Sequence, residues 1–144
     1  MPTAIPDLWP PDVFVPAAVT PIAILRQQGE SLGDHTHNFV HGEVETTSDD
    51  EGKRFTHTLY LVAPFLRYRK PLLRVTGGLQ PYPATAVETD LTKHGDRYWS
   101  AQAITELELQ ERIREFFNQD RVKEVLRAVI NMSNDVVPPE AGAG

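Results

Sequence analysis

Six of the twelve prolines fall within the first 21 residues, MPTAIPDLWPPDVFVPAAVTP. Each fixes φ and removes a backbone donor, so residues 1–19 are expected to form an extended, polyproline-like arm rather than a helix or an inner strand. Trp9, Val13, Phe14 and Val15 make this arm too apolar for a free tail. It is therefore expected to lie along the domain or along a partner. Regular structure is left to residues 20–132, read as a single domain, and residues 133–144, ending in VVPPEAGAG, read as a disordered tail.

The domain's elements follow from periodicity and punctuation. Thr20 is a cap, Pro21 suits a first helical position, and Ile22, Leu25 and Leu32 recur near helical spacing, which predicts a helix over about 21–32 stopped by Gly33. Strand-forming residues over about 35–47 and 54–66 flank the polar tip SDDEG and predict a long hairpin. LRYRKPLLRV leads into a third strand at about 71–76, and ATAVET and RYWSAQAI supply a fourth and fifth around TKHGD. Thr105 and Glu108 form a capping box for a helix over about 106–117. Val122, Val125, Leu126, Val129 and Ile130 then share one face of a last helix over about 120–132. Helix, antiparallel meander of four or five strands, then two helices on one sheet face is an α+β domain.

Composition bounds the chemistry. With no cysteine, the chain has no disulfide, no thiolate metal site and no thiol nucleophile. Its formal charge of -6 disfavours a role dominated by phosphate contacts, so nucleic acid is not the expected partner. No apolar run approaches a membrane span or a signal-peptide core, and a cytoplasmic setting away from membranes is expected. Neither GxxxxGK[ST] nor a helix-opening GxGxxG occurs, so no nucleotide cofactor is expected.

The stretch HTHNFVHGEVE is the densest in chemistry, with His35, His37 and His41 beside Glu43 and Glu45. On a strand, alternate residues share a face, which would group all five side chains as candidate zinc, iron or proton-transfer groups. Alternate positions are roughly 7 Å apart, wide for ligands of one small ion. His57 joins them only in one hairpin register. The pairing that keeps apolar residues together sets Val44 against Phe55 and Val40 against Leu59, and turns His57 to the other side. A solvated strand face is the expected reading, with no metal and no catalytic residue assigned.

GESLG, residues 29–33, matches GxSxG, but Ser31 ends a helix where that chemistry needs a strand turning into one. Arg67, Arg69, Lys70 and Arg74 around Tyr68 could hold phosphates beside a stacked base, yet in an acidic chain they read first as a protected edge or turn. Tyr60 and Val62 alternate with Leu59, Leu61 and Ala63, so the sheet's second face is partly apolar and needs cover from the arm, the first helix or a second subunit. These features point to a non-catalytic interaction or regulatory module that binds another protein or itself as a homodimer, with Trp9, Phe14, Tyr60, Arg67, Tyr68 and Arg69 as its contact residues. The competing expectations are a small enzyme using His37, His41 and Glu43, and nucleic-acid contact through Arg67, Arg69, Lys70 and Arg74.

Overall fold

The computed structural model describes residues 4–15 and 19–136. A 3-10 turn at Pro11–Phe14 precedes α1 (Pro21–His35), β1 (His41–Ser48), β2 (Phe55–Ala63), β3 (Tyr68–Gly77), β4 (Ala84–Glu88), β5 (Ser100–Ala103), α2 (Glu106–Phe117) and α3 (Asp120–Val136). The five strands are ordered as in sequence and each neighbouring pair is antiparallel, so the sheet is a meander. The fold is α+β, as the element pattern predicts. None of the helices is long and apolar enough to cross a membrane among the described residues.

α1 starts where expected, with the Thr20 hydroxyl accepting from the Ala23 N–H at 3.2 Å. It runs three residues past Leu32 because Gly33 serves close packing there, not termination: a β-carbon on it would lie 2.6 Å from Asn38 Oδ1. Gly29 packs more closely still, with its Cα against the backbone of Gly42 in β1. Thr36 ends the helix, its hydroxyl donating to the Leu32 carbonyl at 2.9 Å and accepting from the Val40 N–H at 3.1 Å. His37 and Asn38 follow at φ 53 and 63, so the chain reverses before β1 can begin at His41.

The β1–β2 register differs from the expected one. Val44 faces Leu59, and His41 faces Val62, a pairing four residues further along β2 than the hydrophobic match to Phe55. The cause is the longer tip, where Asp49 N–H donates to the Arg54 carbonyl, Lys53 N–H to Asp49 Oδ1, and Gly52 takes φ 68. An even displacement leaves every side chain on the same face, so His57 still turns away from His41.

Leu59, Leu61, Leu73, Val75, Ala84 and Ala86 meet α1, α2 and α3 on one face of the sheet, where Leu25, Leu109, Phe116 and Val122 complete a single core. β3 carries a bulge at Leu72, between the pairs Leu59–Leu73 and Tyr60–Pro71. Pro71, which has no N–H to give, is tolerated there. The Thr89 hydroxyl donates to the carbonyls of Pro71 and Leu72. α2 spans the predicted residues, its Thr105 hydroxyl accepting from the Glu108 N–H at 3.2 Å. α3 extends four residues beyond the predicted end, so residues 133–136 are helix; residues 137–144 lie outside the described part.

Candidate functional site

The histidines do not assemble. His35 is the last residue of α1, His37 sits in the left-handed turn, and only His41 lies on β1. His41 Nε2 lies 3.3 Å from Glu43 Oε1 on the open sheet face. That contact, with the Arg69 guanidinium, holds the Glu43 carboxyl below its usual pKa. His57 is on the helix-facing side, where its Nδ1 lies 2.9 Å from Thr46 Oγ1 and burial lowers its pKa. Among the described residues no group of three or more His, Cys, Asp or Glu side chains is placed to hold a metal ion. The alternation HTHNFVH looked like a strand because helix end, turn and strand start follow one another within seven residues. Ser31 lies inside α1, without the strand-turn-helix that GxSxG chemistry requires.

The cationic run is likewise divided. Arg69 lies on the open face, donating from Nε to Glu43 at 3.2 Å and from a terminal nitrogen to Glu45 at 2.7 Å, with its carbon 3.8 Å from the centroid of the Tyr60 ring. Its charge is met by two carboxylates, and its guanidinium roofs Tyr60, so the sheet's second face is covered there by its own side chains. α1 lies on the other face, against Gly42. Arg67 takes φ 51 after the 3-10 turn Pro64–Leu66, and Lys70 pairs with Leu61, on the face opposite Arg69. Tyr68 packs against the core, where burial raises its pKa. Arg74, opposite Thr58, shares the open face with Arg69, but Lys70 lies on the other face and Arg67 in the turn, so the four form no single basic surface.

One charged cluster had no signal in the sequence. The Glu88 side chain, 0% exposed, receives Arg121 at 2.8 and 3.2 Å, the Trp99 N–H, and the Thr92 hydroxyl at 2.9 Å. Its partners come from a loop and from a helix 33 residues away. With all of its donors supplied by the protein, this carboxylate reads as a fastening of β4 to α3.

Two features remain without a structural task. The first is the arm. Ile5, Leu8, Trp9, Val13, Phe14 and Val15 are between 60% and 87% exposed, so the arm does not lie along the domain as one of the sequence expectations had it. It nevertheless has local order: the Trp9 N–H donates to Asp7 Oδ1 at 3.0 Å, Val13 N–H to the Pro10 carbonyl at 3.2 Å, and Val15 N–H to the Asp12 carbonyl at 3.3 Å.

Comparison with protein-family models, curated proteins and solved structures finds no match.

The second feature is a cavity of about 200 Å³ between α1, α3 and the centre of the sheet. Leu59, Leu61 and Leu72 line it from the sheet, Leu32 from α1, Phe117 from α2 and Leu126 from α3, with Gln28, Ser31, His35 and Tyr60 also among the lining residues. It follows from two backbone features: the glycine contact holds α1 hard against β1, and the bulge turns Leu72 as well as Leu73 into the core. Neither is visible in a hydrophobic pattern.

Proposed function

We propose that this protein is a non-catalytic interaction module that engages a protein partner through its N-terminal arm, with Trp9 and Phe14 as the anchoring side chains. The observation that carries this reading is the exposure of six large apolar side chains in a segment that holds its own turns, beside a domain whose core cluster contains none of them. Exposed apolar surface of this kind is costly in water and marks interaction sites. Aromatic anchors are also where interface energy concentrates. The Asp7 and Pro10–Phe14 turns reduce the ordering entropy lost on binding, which favours affinity for a short segment.

The test is site-specific photocrosslinking, with benzoylphenylalanine in place of Trp9 and, as a control, in place of exposed Glu124 on α3. A discrete adduct from position 9 and none from position 124 is the expected result. Equal or absent labelling at both positions would leave the arm without a partner and remove this reading.

A further inference from the structure

We propose that the arm's receptor is the α1–α3 cavity of a second copy of this chain, with Trp9 seated in it and the exchange made reciprocally, so that two copies form a closed two-fold dimer. This rests on the interaction reading above and names its partner.

Size selects the kind of occupant. At about 200 Å³ the cavity is below the roughly 300–1,000 Å³ of sites that hold cofactors or drug-sized molecules. It is close to the roughly 150 Å³ apolar cavity that takes a single aromatic ring. Chemistry then selects among rings. The leucine walls suit any of them, and Gln28, Ser31 and His35 stand among the residues of a lining that is otherwise mostly apolar. An indole carries one N–H that needs a partner once buried, and in the proposed seat Gln28, Ser31 or His35 would supply it. Trp9 matches, with its ring exposed and its neighbours Asp7 and Asp12 the only charged side chains of the described arm. Arg114 offers the complementary charge: it lines a groove that shares Gln28 and Phe117 with the cavity, and it makes no ion pair among the described residues.

Reach does not exclude the chain's own arm, since the eleven residues between Trp9 and Pro21 can span roughly 36 Å and the cavity begins about 11 Å along α1. The arm's apolar side chains are exposed, not turned onto their own domain. A two-fold exchange with a second copy fills both cavities with the same contact.

The experiment is light scattering on the eluting full chain, with Trp9 emission read in a Trp99→Phe background, for the parent, Trp9→Ala and Ser31→Phe. Ser31→Phe places a phenyl ring at a helical position that lines the cavity, so a retained or raised Tm shows that it folds. The expected result is a parent of twice the 16.2 kDa chain mass with blue-shifted Trp9 emission. Each variant should weaken the dimer roughly thirtyfold or more, the scale of losing an interface anchor. Mixing the two should restore a dimer held by one seat, because Trp9→Ala keeps its cavity and Ser31→Phe keeps its arm. A parent that is monomeric overturns the proposal, with buried Trp9 emission meaning closure onto its own domain. A dimer indifferent to both substitutions also overturns it. A monomeric parent that still gives a crosslink from position 9 to another protein overturns the exchange alone; loss of every adduct overturns the interaction reading as well.

Discussion

Single residues decide how close α1 lies to the sheet, and at this scale the sequence is ambiguous. Gly29 and Gly33 read as a weak point and a stop in a helix, yet the structure uses both for contact. A β-carbon on Gly29 would stand 2.5 Å from the Gly42 carbonyl oxygen, with backbone on both sides and no flexible side chain to yield. Gly29→Ala would gain about 1 kcal/mol of helix propensity. Pushing α1 off β1 costs more, at the upper end of the roughly 1–3 kcal/mol typical of overpacking. The expected outcome of urea unfolding is a net loss of about 1–2 kcal/mol; a variant as stable as the parent would contradict the close contact. The histidines make the converse point. Their identity was plain, but whether His35 and His37 share a strand face depends on φ at His37 and Asn38, which residue type alone does not set.

Elements were legible in proportion to how local their signals are. α2 was found at both ends because its capping box and apolar face lie within the element. The hairpin was found with its faces correct and its register displaced, because face depends on alternation whereas register depends on the tip, whose Asp49 and Gly52 geometry is set by hydrogen bonds across six residues. The last turn of α3 was missed because its apolar pattern ends at Ile130, although Ser133 is 0% exposed and packs inside. The Ser133 hydroxyl has no hydrogen-bond partner among the described residues, and an unpaired buried polar group of this kind costs about 1–3 kcal/mol. Ser133→Ala removes that cost, leaves only a small void and improves helix propensity. Thermal unfolding should therefore show a raised Tm, and a Tm lowered by several degrees would mean that the hydroxyl is bonded in solution.

At the scale of the whole molecule, the sequence supplied the layers but not the long-range ties between them, and Glu88 with Arg121 is the clearest of these. Burial raises the pKa of the Glu88 carboxyl, but Arg121, the Trp99 N–H and the Thr92 hydroxyl outweigh it, and the folded value lies below the usual 4.5. The unfolded chain therefore binds the proton more readily. The stability that Glu88 contributes is complete above its unfolded pKa and is lost as pH falls through the lower, folded one. Arg121→Ala removes the charge that offsets burial, which should leave the carboxyl raised instead, favoured in its neutral form and unfavourable at neutral pH. The two proteins thus respond to acid with opposite signs. At pH 7 the variant should be less stable by about 3 kcal/mol, the lower end for breaking a buried pair because Arg121 is itself 34% exposed and partly hydrated in the parent. The difference should shrink as pH falls through the raised pKa of the variant and then through the lowered one of the parent, where Glu88 becomes protonated in each. Urea unfolding of both proteins at pH 7, 5 and 3.5 reads this directly. A gap that stays constant across the series would mean that Arg121 acts through its packing on β4 and the loop, and that the ion pair contributes nothing to holding α3 against the sheet.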